Sequence, residues 1–233
     1  MILLILIGEI KMINKLSAVI FDMDGLMFDT ERLVLDAWKE VGRNAGFDMT
    51  DEVILASVGC NERDTEIIMK LHLGEDFPFA ELRKQRVKYV QDYVKTNGMP
   101  VKEGLFKLLD FLNASGIKTA VATSTERVSA EEHINSCNIL ERFDYIVCGD
   151  EVDRGKPEPD IFLLAAKKLG CRPEECIVLE DSENGIKGAY KAGMMAIMIP
   201  DLITPKDEIK LLTHQIFDSL YHVIEYIELV MEN

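Results

Sequence analysis

The chain has 233 residues, of which 48% are hydrophobic and 29% charged, and its 26 basic and 41 acidic residues give a net charge of −15. This apolar content excludes a mainly disordered chain, and the negative charge disfavours general binding to nucleic acids. A phosphate ligand would therefore need a local pocket with a cation. The five cysteines form no CxxC pair, which disfavours a zinc site and favours a cytoplasmic protein with reduced thiols.

The chain begins with the apolar run MILLILI at residues 1–7. This run lacks a basic segment before it and is far shorter than the roughly 20 apolar residues of a membrane-spanning helix. We interpret residues 1–15 as an N-terminal extension that precedes the folded domain. Because no later segment is long and apolar enough to span a bilayer, we expect no membrane partner.

Short apolar segments and helical patterns alternate along most of the chain. The five predicted strands cover residues 16–21, 117–122, 143–147, 176–179 and 195–199. Between them, apolar residues recur at helical spacing, as in Leu105, Leu108 and Leu112. Strands that alternate with helices predict an α/β domain built on a parallel sheet.

Residues 30–99 interrupt this alternation, because they contain no convincing strand. Apolar residues at helical spacing predict three helices, the first around Leu33 and Trp38, the second around Ile67 and Leu71, and the third around Leu82. We therefore predict a helical insertion over residues 30–99 and an α/β core made of residues 16–29 and 100–233. A last helix is predicted over an apolar stripe of five residues, which are Phe217, Leu220, Ile224, Ile227 and Met231.

The segment FDMDGL places Asp22 and Asp24 directly after the first predicted strand. In extended chain, residues two positions apart point to the same side, and Gly25 permits a tight turn after them. Open α/β sheets bind their ligands at the carboxyl ends of the strands. Alone, the two aspartates could also cap a local turn, so this motif needs support from the other strand ends.

The later strand ends carry a matching set of polar residues. Thr123 and Ser124 supply hydroxyl and backbone N–H donors, although they could also cap the next helix. Lys156 lies in the segment GKPEPD, which could bring it to the site or could form a surface turn. The adjacent carboxylates of Glu180 and Asp181 repel each other unless a cation or a proton offsets their charge. Because the possible ligands are all hard oxygens, we expect the cation to be Mg²⁺. The combined set predicts a phosphate-handling site.

Four motifs occur in a fixed order, namely FDMDGL, the Thr123 and Ser124 strand end, GKPEPD and LEDSENG. Together they resemble the motifs of the haloacid dehalogenase superfamily, in particular its phosphatase and β-phosphoglucomutase-like branch with a helical cap. The resemblance covers residues from about 16 to 230. It implies a Rossmann-like core in which the helical insertion acts as a mobile cap.

The resemblance also implies roles for the acidic residues. Asp22 would be the nucleophile that forms an aspartyl-phosphate, and Asp24 the general acid and then the general base. Asp22, Asp181 and the backbone carbonyl of Asp24 would bind Mg²⁺. Glu180 would bind the metal directly or through water.

Five further residues are expected to contact the substrate. The resemblance implies that Thr123, the backbone N–H of Ser124 and Lys156 hold the phosphate oxygens. We expect Gly25 beside the substrate as well. Arg63, between two predicted cap helices, could reach the substrate when the cap closes, or could be a surface charge at a helix N-terminus.

An aspartate at position 24 favours either hydrolysis of phosphomonoesters or mutase chemistry. β-Phosphoglucomutase carries a histidine in the first cap helix where this chain has Val34, which favours hydrolysis. We therefore predict a monomeric phosphatase that acts on a small phosphorylated metabolite, in particular a sugar phosphate. The alternatives are a hexose-phosphate mutase and a non-catalytic phosphate-binding protein.

Overall fold

The computed structural model describes residues 15–58 and 62–231, so most of the predicted extension, residues 1–14, lies outside the described residues. Its strands are β1 (Ala18–Phe21), β2 (Lys118–Ala122), β3 (Tyr145–Val147), β4 (Cys176–Glu180), β5 (Met195–Met198) and β6 (Gln215–Ile216). They form one parallel sheet in the order β3-β2-β1-β4-β5-β6. The central strand β1 aligns Phe21 with Val121 on one side and with Leu179 on the other, so three strand ends meet beside Asp22.

Helices cover both faces of this sheet. They are α1 (Thr30–Asn44), α2 (Asp51–Leu55), α3 (Glu62–Leu73), α4 (Phe79–Asn97), α5 (Leu105–Ala114), α6 (Arg127–Ser136), α7 (Asp160–Leu169), α8 (Glu183–Lys191), α9 (Asp207–Lys210) and α10 (Leu220–Met231). Alternate residues of β1 enter opposite apolar layers, with Val19 and Phe21 packed with α5 and α10, and Ala18 and Ile20 packed with α7 and α8. The predicted α/β fold with a parallel sheet is confirmed.

Helices α1 to α4 follow β1 and form the helical insertion, which has an apolar cluster of its own. In this cluster the ring of Trp38 stacks on that of Phe79, with their centroids 5.9 Å apart. The helices predicted around Leu33, Ile67 and Leu82 are all present. The division into a core domain (16–29 and 100–233) and a cap domain (30–99) stays a prediction.

Three features of the structure differ from the sequence pattern. Helix α3 buries Met69, whereas Ile67 and Leu71 are 56% and 79% exposed, because only one side of this helix faces neighbouring helices. Met231, at the end of the predicted last stripe, is also exposed. Helix α2 and strand β6 were not predicted, since a segment of two to five residues shows no periodicity.

The two segments that connect the helical insertion to the sheet run side by side. The N–H of Asp29 donates to the carbonyl of Pro100 at 2.8 Å, and the N–H of Lys102 donates to the carbonyl of Met27 at 2.9 Å. These bonds fix the start of α1 at the same edge of the sheet as Asp22.

A buried carboxylate from the loop after β5 contacts the first turn of α1 and the second connecting segment. The side chain of Asp201 is 2% exposed, and its Oδ1 accepts from the guanidinium of Arg32 and from Lys102 Nζ at 2.5 Å. Asp29 adds a second carboxylate, 2.8 Å from Arg32 and 3.3 Å from Lys102. This charge cluster ties the helical insertion to the strand edge. Within the described residues, no helix is long and apolar enough to cross a membrane.

Candidate active site

A buried ammonium group connects three strand ends. Lys156 Nζ donates to Asp22 Oδ1, to Glu180 Oε1 at 2.6 Å and to the carbonyl oxygen of Ala122 at 3.0 Å. These three bonds use all three ammonium protons. The same nitrogen lies 5.1 Å from the ring centroid of Phe162, which adds a cation–π contact. Lys156 is therefore locked in place beside Asp22.

The electrostatics of this group follow from burial. Removal from water raises the pKa of Asp22 to about 8, with Lys156 opposing the shift and with Glu180 and Asp24 adding to it. For Lys156, burial lowers the pKa, but the carboxylates of Asp22 and Glu180 outweigh it and raise the pKa above the ordinary value. Lys156 therefore stays protonated and positively charged next to Asp22.

Glu180 is fully buried at the end of β4, and both of its oxygens have partners. Oε1 accepts from Lys156, while Oε2 accepts from the N–H and the hydroxyl of Ser182 at 3.1 and 2.9 Å. Ser182 also caps α8, and a Cβ at Gly185 would come within 1.8 Å of the Glu180 carboxyl carbon. Glu180 was predicted to bind the metal either directly or through water. Because both of its carboxylate oxygens already accept hydrogen bonds, the arrangement favours binding through water.

Asp181 and Gly25 lie in direct contact. Gly25 has φ +84°, and a Cβ on it would come within 2.2 Å of Asp181 Oδ2. In the described part of the chain, the carboxylate of Asp181 has no hydrogen-bond or ion-pair partner. Its burial, with the nearby charges of Asp22 and Glu180, raises its pKa well above the ordinary value.

Oxygen atoms of Asp22, Glu180 and Asp181 all lie within 4.8 Å of one another. Among the residues that the structure describes, Lys156 is the lysine paired with Asp22 and Glu180, and the Asp181 carboxylate has no donor. A set of hard oxygen ligands with excess negative charge fits a divalent cation such as Mg²⁺. The residues present therefore suit a metal ion.

The Asp181→Asn variant is expected to stabilise the metal-free protein by about 1–3 kcal/mol at pH 8, because it removes an unpaired buried charge. A carboxyl whose folded-state pKa is raised binds more protons when folded, so it lowers stability as the pH rises above the unfolded-state pKa near 4. Urea unfolding with a chelator should show a gap between variant and wild type that widens from pH 5 to pH 8.

The exposed Asp36, on α1, supplies the control for this experiment as Asp36→Asn. Added Mg²⁺ should raise the unfolding midpoint of the wild type more than that of Asp181→Asn, since ligands stabilise the state that binds them. Equal stability of wild type and variant at every pH, with the same response to Mg²⁺, would contradict the assignment of Asp181.

The carboxylate of Asp24 is held by two hydroxyl groups. Thr30 Oγ1 donates to Asp24 Oδ1 at 3.0 Å, and Thr125 Oγ1 donates to Asp24 Oδ2 at 2.8 Å. Thr30 begins α1, whereas Thr125 follows β2, so the helical insertion and the strand end jointly orient Asp24. The buried Thr123 accepts the N–H of Thr125 at 3.1 Å, which keeps this loop next to Asp24.

The sequence assigned no site role to Thr30 or Thr125. Thr125 is the third hydroxyl residue of the segment TST after the second strand, and this position could have indicated a role in the site. No local signal distinguishes Thr30. The side chain of Ser124 and that of Arg63, in the first turn of α3, are exposed. The substrate contacts predicted for Ser124, Arg63 and Gly25 stay predictions, and residues 59–61 lie outside the described residues.

Comparisons with known proteins agree with this geometry. The family model of haloacid dehalogenase-like hydrolases matches residues 19–199. A phosphorylated carbohydrates phosphatase of Thermotoga maritima is 35% identical over 183 residues, which cover 78% of this chain and 84% of that protein. A fructose-1-phosphate phosphatase of Escherichia coli is 31% identical over 189 residues, which cover 80% and 97%.

Among solved structures, a β-phosphoglucomutase of Clostridium difficile superimposes with a TM-score of 0.71 at 23% identity, and the match covers 92% of this chain and 96% of that one. This likeness shows a shared fold. These comparisons confirm the predicted resemblance to phosphatases with a β-phosphoglucomutase-like fold. They also confirm the prediction of an enzyme of phosphatase type. The chain belongs to the haloacid dehalogenase-like hydrolase family.

Proposed function

We propose that this protein is a Mg²⁺-dependent phosphatase that hydrolyses a small sugar phosphate through an aspartyl-phosphate on Asp22. The observation that carries the proposal is the pairing of two differently held carboxylates at one strand end. Asp22 lies against the ammonium of Lys156, whereas Asp24 accepts hydroxyl donors from Thr30 and Thr125. Relatives that act on phosphorylated carbohydrates and on fructose 1-phosphate support the substrate class.

In the first step, the carboxylate of Asp22 attacks phosphorus as the ester P–O bond breaks. Lys156 holds one oxygen of Asp22, which leaves the other to form the new bond. Asp24 gives its proton to the leaving oxygen, so that a neutral alcohol departs. The buried position of Asp22 keeps water from the nucleophile during this step.

In the second step, water attacks the aspartyl-phosphate and Asp24 takes its proton. The P–O bond to Asp22 breaks, inorganic phosphate leaves and both aspartates return to their starting states. Thr123 and the backbone N–H of Ser124 are placed by this proposal at the phosphate oxygens, where they stabilise negative charge. Mg²⁺, held by Asp22, Asp181 and the backbone carbonyl of Asp24, would neutralise the charge between nucleophile and phosphate.

The experiment that tests the proposal is a screen of phosphorylated metabolites with Mg²⁺, read as release of inorganic phosphate. A generic aryl phosphate and samples with chelator belong in the same screen. With β-glucose 1-phosphate, free phosphate supports hydrolysis, whereas glucose 6-phosphate without phosphate release would support the mutase. A complete lack of turnover of all substrates would reject the phosphatase and favour a phosphate-binding protein.

The Asp24→Ala variant is expected to lower kcat about 10²–10⁴-fold, the usual size of general acid–base catalysis. An aryl phosphate has a leaving group that needs little protonation, so its first step should be affected least. The second step still lacks its base, and the aspartyl-phosphate should therefore accumulate and be detectable by mass spectrometry of the quenched enzyme. Unchanged kinetics with both substrates would reject the role of Asp24.

A further inference from the structure

The proposed mechanism does not use Asp201, whose carboxylate lies in the loop after β5. The N–H of Ile199 donates to the carbonyl of Glu180 at 2.8 Å, which aligns the end of β5 with the strand end that precedes Asp181. Pro200 follows, and its ring restricts φ to a narrow range. The sheet and this short rigid link therefore determine where the side chain of Asp201 lies.

The carboxylate of Asp201 is almost completely shielded from water. The side chain is 2% exposed, and its Oδ1 accepts from Arg32 and from Lys102. Its Oδ2 is buried and has no hydrogen-bond partner within residues 15–58 and 62–231. Burial of a carboxylate with one unpaired oxygen costs free energy, and a buried ion pair often adds less stability than an apolar contact of equal volume. The directional bonds of Asp201 instead restrict the positions of the groups that it contacts.

The charged groups around Asp201 flank Thr30 in the sequence. Arg32 lies two residues after Thr30, and Asp29, directly before Thr30, accepts from Arg32 at 2.8 Å. Lys102 Nζ lies 3.3 Å from the Asp29 carboxylate, so two cations and two carboxylates form one balanced group. We call this group the charge cluster, which consists of Asp29, Arg32, Lys102 and Asp201. It fixes the chain immediately before and after Thr30.

Thr30 connects the charge cluster to Asp24. Thr30 is buried, and its hydroxyl donates to Asp24 Oδ1 at 3.0 Å, while Thr125 donates to Oδ2. A carboxyl group held at both oxygens has a fixed plane, whereas one held by Thr125 alone can rotate about its Cβ–Cγ bond. Hydrogen bonds between hydroxyl groups and oxygen atoms are typically about 2.5–3.0 Å long, so a shift of about 1 Å breaks them. A displaced first turn of α1 would therefore release one side of Asp24.

We propose that Asp201 is a positioning residue for the general acid. Through Arg32 it fixes the first turn of α1, so that Thr30 holds the carboxyl group of Asp24 towards the leaving oxygen. This inference rests on the proposed phosphatase function. Asp201 does not contact the reacting atoms, and its effect on the rate comes from the orientation of Asp24.

The test measures how strongly the first step depends on a proton from Asp24. The value of kcat/KM reports formation of the aspartyl-phosphate, in which a sugar oxygen needs a proton and an aryl oxygen needs little. The readout is therefore kcat/KM for glucose 6-phosphate divided by kcat/KM for p-nitrophenyl phosphate. In Asp201→Leu this ratio should fall about tenfold or more, because misplacement of a catalytic group by about 1 Å can cost about 10²-fold in rate.

A variant of Arg32 gives the same test without removing a buried group. Arg32→Met breaks the link between Asp201 and α1, and because the Arg32 side chain is 51% exposed the protein should stay folded. The ratio should fall at least about fivefold, the effect of weakening one hydrogen bond. Arg43→Met is the matched control and should keep the wild-type ratio. Arg43 also lies on α1 and pairs at 2.8 Å with a carboxylate three positions earlier, as Arg32 does.

A double variant tests whether Asp201 acts through Thr30. Thr30→Val removes the hydroxyl donor to Asp24 and nearly keeps the shape of the side chain. Once this donor is absent, adding Asp201→Leu should change the ratio by less than about twofold. Fully additive effects of the two substitutions would overturn the proposal, since Asp201 would then affect the reaction by another route.

Amide hydrogen exchange tests the charge cluster without turnover. Peptides that cover residues 27–33 should exchange at least about tenfold faster in Asp201→Leu and in Arg32→Met, because the first turn of α1 opens more readily. Arg43→Met should leave this exchange unchanged. Wild-type exchange in both cluster variants would overturn the positioning role even if the protein is not a phosphatase.

The kinetic outcomes separate the two proposals. An equal fall of kcat/KM with both substrates would overturn the positioning role, since it would indicate a general loss of structure or catalysis. An unchanged ratio in both Asp201→Leu and Arg32→Met would overturn it as well. Turnover of p-nitrophenyl phosphate by the wild type reports on the proposed phosphatase function separately.

Discussion

Asp22→Asn is expected to lower kcat by about 10⁴-fold or more, since the variant lacks the atom that forms the bond to phosphorus. Asparagine has nearly the same shape as aspartate, and its amide oxygen can accept the hydrogen bond from Lys156. The variant also removes a buried carboxylate whose pKa is raised to about 8. The protein should therefore stay folded, and the metal-free form should become more stable above pH 4.

Release of inorganic phosphate measures this loss, and thermal unfolding of the same samples checks the fold. Asp36→Asn, on the exposed side of α1, is the matched control and should keep wild-type rates. Mass spectrometry of the quenched wild type should locate the phosphoryl group on Asp22. Full activity of Asp22→Asn in a sample of verified sequence would reject Asp22 as the nucleophile.

Lys156→Met should have the largest effect on stability, because it leaves the carboxylates of Asp22 and Glu180 buried without their shared cation. Removing one partner of a buried charged group typically costs about 3–5 kcal/mol. Activity should fall as well, since the charge beside the nucleophile is lost. Urea unfolding and phosphate release measure the two effects, with the exposed Lys84→Met as the control.

A second substitution separates the two roles of Lys156. Adding Glu180→Gln to Lys156→Met removes one of the two unpaired charges, and the double variant should regain part of the lost stability. It should not regain activity, because the nucleophile still lacks its cation. Wild-type stability of Lys156→Met would contradict the buried network, and recovery of activity in the double variant would contradict the catalytic role of Lys156.

The sheet could be predicted from the sequence because its strands are buried on both faces. Such strands are short apolar runs, and the runs around Val19 and Val178 fall at the observed β1 and β4. The buried face of α3 could not be predicted in the same way. Its apolar residues Ile67 and Leu71 have helical spacing but are exposed, since the small insertion provides only one packed side for this helix.

The residues of the candidate site also differ in whether a local sequence pattern could predict them. Asp22, Lys156 and Asp181 could be predicted because each comes directly after a strand or in a motif of fixed order. Thr30 could not, because its position beside Asp24 depends on how the two connecting segments run along the edge of the sheet. The contacts of Trp38 and Asp201 depend equally on packing between distant segments, which no local sequence pattern indicates.

Gly25 belongs to a short sequence motif, but the need for glycine there depends on a contact with a residue far away in the sequence. The positive φ at this residue would permit asparagine as well as glycine if the turn alone mattered. Any side chain would, however, collide with the carboxylate of Asp181, which comes from the other half of the chain. A side chain at position 25 would thus displace this carboxylate unless position 181 changed as well. The DxDG motif and the aspartate after β4 should consequently be inherited as one unit, although the chain encodes them far apart.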